Sequence, residues 1–110
     1  MYYGDDGCGA KQVTVTVGAT DPTGVSSVRL YFRLADKAGG GTTGWSSLAM
    51  TAAGDEWSRL LKAETDVPGH DSYTNAWLQF YFLATNSRGV QTQSSTYSQE
   101  LTLSRCIFVR

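Results

Sequence analysis

Residues 13–17 read VTVTV, a strict alternation of apolar and hydroxyl side chains in which every residue is β-branched. Side chains on a strand change face at every residue, and branching at Cβ favours the pleated surface over the helix, so this run reads as a half-buried strand. Val13, Val15 and Val17 fall on one face, Thr14 and Thr16 on the other. The same test along the chain finds five more strands, at residues 26–35, 45–50, 56–62, 77–85 and 96–104. In the second, Val28, Leu30, Phe32 and Leu34 share one face while Arg29, Tyr31 and Arg33 share the other. In the fifth, WLQFYFLAT, Leu78, Phe80, Phe82 and Ala84 are set against Trp77, Gln79, Tyr81 and Leu83. The register of 56–62 stays open, because Trp57, Arg59 and Leu61 would share a face and leave Leu60 on the opposite one. No stretch offers an amphipathic helix, and Asp66, Pro68 and Gly69 argue against one in the long connection 63–75.

Six strands with sequential connections predict a two-layer antiparallel β-sandwich, and 110 residues suit a single domain spanning 1–110. Chain direction then bears on the two cysteines, Cys8 and Cys106. Six strands that reverse at each turn begin and end at the same end of the sandwich, which places Cys8, before the first, beside Cys106, after the last. A disulfide joining them is expected. Closing so long a loop contributes about 4 to 5 kcal/mol by the loop-entropy argument. Such a bridge implies an exported domain, in an extracellular or cell-surface location.

A formal charge of −1 gives no attraction for a phosphate backbone, so nucleic acid is not an expected partner. No apolar run is long enough to span a bilayer, which argues against direct membrane insertion, and the opening MYYGDDGCG lacks the basic head and apolar middle of a signal peptide. An export signal is expected outside this sequence.

Two segments look alike, ATDPTGV from Ala19 and ATNSRGV from Ala84. In DPTG, Pro22 pre-sets φ, Asp21 can accept local N–H bonds and Gly24 accommodates positive φ; Asn86 and Gly89 serve the same ends in NSRG. Both read as turns that close one strand and launch the next. The rival reading is calcium, but Asp21 beside a neutral Asn86 makes a poor oxygen cage. Glu64, Asp66, His70 and Asp71 form a denser polar set with no ligand signature in their spacing, so no metal or other cofactor is expected. Catalytic patterns are also missing: there is no HExxH, no phosphate-binding glycine loop and no nucleophile elbow, and His70 is the single histidine. The chain is not expected to be an enzyme. The outward aromatics Tyr31, Trp77 and Tyr81 admit two readings. They can stack on sugar rings or form a protein contact patch, or they can pack across strands under the stems of Arg29 and Arg33. Trp45 and Trp57 are expected in the core or at its rim.

The succession VTVTVGATDPTGVSSVRLYFR, Trp45, GDEW and FYFLATNSRGV resembles the immunoglobulin-like modules, close to fibronectin type III domains, of bacterial secreted and cell-surface proteins. Phe80, Phe82, Ala84, Asn86 and Gly89 match the order in which those domains end their penultimate strand. The chain departs from the pattern where valines replace the tryptophan usual on the first core strand, and no obvious N-terminal edge strand precedes them. A generic immunoglobulin-like sandwich of six to seven strands is therefore favoured. The resemblance implies a non-catalytic structural or domain-spacing module whose partners are neighbouring domains of a parent protein. The alternative is an adhesion module that binds a surface glycan or protein through Tyr31, Trp77 and Tyr81. No RGD tripeptide is present.

Overall fold

In the computed structural model, which describes residues 1–107, the VTVTV run forms the core of strand β2 (Gln12–Gly18). Its valines turn inward and Thr14 and Thr16 face water. Strand β6 (Glu56–Lys62) pairs antiparallel with it along the full length, opposing Val13 to Leu61, Val15 to Arg59 and Val17 to Trp57. That pairing fixes the register left open by the sequence. Trp57 and Leu61 enter the core, and Leu60 is exposed. Arg59 shares the inward face, and its stem carries the guanidinium to the Ala49 carbonyl at 3.5 Å. Strand β5 (Thr51–Ala53) completes this smaller sheet in the order β2-β6-β5.

The larger sheet is built on β3 (Val25–Asp36) and β7 (Asn75–Asn86), paired antiparallel from Val25 opposite Asn86 to Asp36 opposite Ala76. Leu30, Phe32 and Leu34 lie directly across from Phe82, Phe80 and Leu78, and all six are buried. Each such side chain removed from water contributes roughly 1.5–3 kcal/mol, which makes this row the main hydrophobic contribution to the core. Strand β4 (Ser46–Ala49) flanks β3, while β9 (Tyr97–Cys106) flanks β7 and is flanked in turn by β1 (Tyr2–Gly4). A short β8 (Gln91–Gln93) pairs with the end of β7. Together the sheets make a curved, largely antiparallel all-β sandwich, 56 × 27 × 19 Å across its principal axes.

Four expectations are corrected. The sandwich has nine strands among the described residues, not six or seven, and it is not wholly antiparallel, because β1 runs parallel to β9. The strand expected at 45–50 is two, β4 in the larger sheet and β5 in the smaller, with Met50 buried between them. An N-terminal edge strand does exist. Three residues suffice for β1 because the Met1 ammonium donates to the Thr102 carbonyl at 2.8 Å and the Tyr3 hydroxyl to the Tyr73 carbonyl at 2.7 Å. Last, the long connection opens with one helical turn, α1 (Ala63–Asp66), stabilised when the Asp66 carboxylate accepts the Lys62 N–H at 2.8 Å. It stops at Val67, which precedes Pro68 and is held extended (φ −103°, ψ 102°) by the clash with the proline ring.

The extra strands leave chain direction unchanged. With only Met50 between them, β4 and β5 are one pass that changes sheet, and β8 and β9 both run antiparallel to β7 as another. Since β1 precedes Cys8, six passes follow that cysteine, and Cys8 and Cys106 meet at one end in a disulfide, their Cα atoms 5.9 Å apart.

Candidate functional site

The outward face of the larger sheet holds the aromatics singled out by the alternation. Tyr31 on β3 is directly opposite Tyr81 on β7, and their rings stack with centroids 4.9 Å apart and planes 3° from parallel. Trp45, just before β4, meets Tyr81 edge-on at 5.0 Å. Over Trp45 lies the Arg33 guanidinium, 4.5 Å from the ring centroid, while Arg33 Nε donates to Gln79 Oε1 at 2.8 Å. Arg29 Nη2 donates to Ser47 Oγ at 3.0 Å. Strand pairing lines these groups up because every second residue of β3, β4 and β7 shares this face.

Trp77 is not part of that cluster. It stands opposite Ala35, four residues and roughly 13 Å along β7 from Tyr81, with the Lys37 ammonium 4.0 Å above its ring. Sequence reasoning missed Trp45 as a member. Its signal was available in the parity of β4, since Tyr31 opposes Ser47 and the residue two before Ser47 therefore falls beside Arg33. Trp57, by contrast, is in the core as expected. The Tyr31–Tyr81 stack covers one face of each ring, an arrangement that contributes about 0.5–1.5 kcal/mol beyond its burial. Trp45 remains 40% exposed and is the ring most open to a ligand.

The two similar turns come together at the end opposite the disulfide. Asp21 Oδ1 accepts the Thr23 N–H at 2.8 Å and the Thr23 hydroxyl at 2.6 Å, and the Gly24 N–H returns to the Asp21 carbonyl at 2.8 Å. Asn86 Oδ1 accepts the N–H groups of Arg88 and Val90 at 3.0 and 2.9 Å. The Ser87 N–H donates to the Gly24 carbonyl at 2.9 Å and joins one turn to the other. Gly24 and Gly89 both have φ above +80°, the conformation that makes glycine necessary there. The Thr23 hydroxyl, then its N–H and the Asn86 amide, hold the Asp21 carboxyl below the usual range.

The polar set of the long connection is dispersed. Glu64 Oε1 accepts the Gly4 N–H at 2.9 Å and pairs with Lys11 at 3.1 Å, contacts that lower its pKa, with the Gly4 bond foremost. Asp66 is engaged at Lys62, and His70 packs against the Tyr3 ring with centroids 5.6 Å apart. Among the described residues no three His, Cys, Asp or Glu side chains converge as a metal site would require. Comparison of the chain with protein-family models, curated protein sequences and solved structures finds no match. The fold is an all-β sandwich consistent in general with immunoglobulin-like and fibronectin type III-like superfamilies.

Proposed function

We propose that this chain is a non-catalytic, immunoglobulin-like extracellular module that holds neighbouring domains of a parent protein and presents its turn end away from them. The observation that carries this reading is an elongated body whose first and last described strands, β1 and β9, are held side by side and end together at the disulfide. Met1 is bonded to Thr102, and Cys8 is crosslinked to Cys106, so β1 and β9 are fixed to each other at that end and the two turns stand free at the other. The bridge itself fits an oxidising setting. No helix among the described residues is long and apolar enough to cross a membrane.

The test pairs a glycan-array screen with a calcium titration followed by NMR. The expected result is no saturable sugar binding and no calcium-dependent shifts clustered at Asp21, Asp66 or Asp71, because the tyrosine rings stack on one another, Asp21 and Asp66 accept local donors, and no three ligand side chains converge among the described residues. The second reading, a glycan- or protein-binding face, is favoured by the exposure of Trp45 beside the Tyr31–Tyr81 stack. Saturable binding that disappears in Tyr31→Ala with Tyr81→Ala, while the far-UV spectrum and cooperative melt persist, would replace the first reading with the second.

A further inference from the structure

The two sheets are unequal, and the shortfall lies on one side. β2 is the edge of the smaller sheet. The Ala63 N–H donates to the Lys11 carbonyl and the Ala19 N–H to the Asp55 carbonyl, both at 3.0 Å, extending the β2–β6 ladder at its two ends. In an antiparallel ladder both backbone groups of alternate residues point to the same side, so the odd-numbered residues of β2 bond to β6. Gln12, Thr14, Thr16 and Gly18 turn their N–H and C=O groups the other way, where no described residue pairs with them.

That edge differs from the others in having no protection. The β1, β5 and β8 strands have three residues each and β4 has four, whereas β2 has seven. It carries no charged residue, no proline and no bulge, the usual devices that keep an edge from recruiting another strand. Beside it, facing the β8–β9 side of the larger sheet, run two adjoining cavities of about 390 and 330 Å³. Val15 and Val17 form one wall, Phe80, Phe82 and Leu101 the other. Val90 and Tyr97, 59% and 37% exposed, stand at the mouth. The charged residues of this lining are both acidic, Asp21 and Glu100.

We infer that the open side of β2 is a strand-acceptor site for an extended partner peptide with apolar side chains at every second position and a lysine or arginine at an end. The backbone row of Gln12, Thr14, Thr16 and Gly18 spans roughly 20 Å, enough to pair with about seven residues. Alternate side chains of the incoming strand drop into the cavities, and its cationic end answers Asp21 or Glu100. A second copy of this chain does not suit the site. Directly opposed residues of an antiparallel pair share a face, so joining β2 to β2 would put both larger sheets on the same side of the seam, each with its β8 and β9 in the space the other needs.

The probe is a synthetic nonapeptide alternating valine and threonine with lysine at both ends, titrated into the protein and followed by NMR and amide hydrogen exchange. Saturable one-to-one binding with new protection of the Thr14 and Thr16 amides is expected. Thr16→Pro removes a donor from the open edge without touching the β2–β6 ladder and should weaken binding at least ten-fold. Should that variant fold poorly, a peptide N-methylated at the amides that face β2 tests the same contact and should show the same loss. Asp21→Asn, which keeps the acceptor for Thr23, should weaken the lysine peptide a few-fold and leave a glutamine-ended peptide unchanged. No saturation up to millimolar peptide overturns the inference, as does binding indifferent to both Thr16→Pro and N-methylation. Protection of the same amides in peptide-free protein, rising with concentration alongside a dimer in light scattering, would assign the edge to a second copy instead and overturn the choice of occupant.

Discussion

The two ends of the sandwich are closed by different chemistry. At one end Cys8 and Cys106, 98 residues apart in sequence, are joined covalently, with Lys11 paired to Asp6 and Glu64 at 3.3 and 3.1 Å beside them. At the other, the DPTG and NSRG turns are held by hydrogen bonds, most of them between groups two to four residues apart, with the Ser87–Gly24 contact linking the two. A crosslink between distant residues acts chiefly by restricting the unfolded chain, whereas a turn bond acts where it is made. Damage to the first end is therefore felt throughout the molecule, and damage to the second stays near the turns.

The strongest way to break this contrast is Cys8→Ser with Cys106→Ser. Removing the bridge should cost about 2–5 kcal/mol in urea unfolding, with a larger m-value because the unfolded chain is no longer looped. An unchanged midpoint would mean that β1–β9 pairing alone closes this end. Asn86→Ala comes next. It leaves the N–H groups of Arg88 and Val90 without their acceptor and should cost about 1–2 kcal/mol, with faster amide exchange confined to the two turns. Exchange accelerated equally at β1 and β9 would contradict the local character assigned to that end.

The smallest effect is acid sensitivity, which should separate the ends by its salt dependence. Asp21 and Glu64 both have folded-state pKa values below their ordinary 3.8 and 4.5. Each contributes stability above its ordinary value that is lost as pH falls through the lowered one, so stability should decline below about pH 4.5. Glu64 owes part of its shift to the Lys11 charge and Asp21 owes its shift to neutral donors, so added salt should diminish the Glu64 share first. Comparing acid titrations of Asp21→Asn and Glu64→Gln at low and high salt checks this, and equal salt responses would remove the distinction.

Much of this was legible because period two is an unambiguous signal when a run is long. The faces of β2, β3 and β7, the buried row from Val28 to Leu34, and the meeting of Tyr31 with Tyr81 follow from alternation, and the disulfide follows from counting reversals. What escaped were short elements that depend on tertiary pairing. Nothing in Met50 announces a change of sheet, and QTQ at 91–93 becomes a strand only because β7 extends past β9 and offers an open edge there. β1 exists through the Met1 and Tyr3 bonds to distant carbonyls. The register of β6 required β2 as a template, since its own alternation places an arginine among core residues. For the outer face, the tyrosines were visible and Trp45 was not grouped with them, because its neighbour Arg33 lies on another strand.

The passage of the chain through Met50 has a mechanical consequence. β4 and β5 lie on the same flank of the two layers, so one residue binds the layers there like the spine of a book, while β2 lies at the opposite flank with no strand crossing beside it. The disulfide clasps that fore-edge at one end only, through Cys8 just before β2 and Cys106 at the end of β9. The layers are thus bound along the spine and at one corner, and the stretch between is the flank where backbone groups are left unpaired.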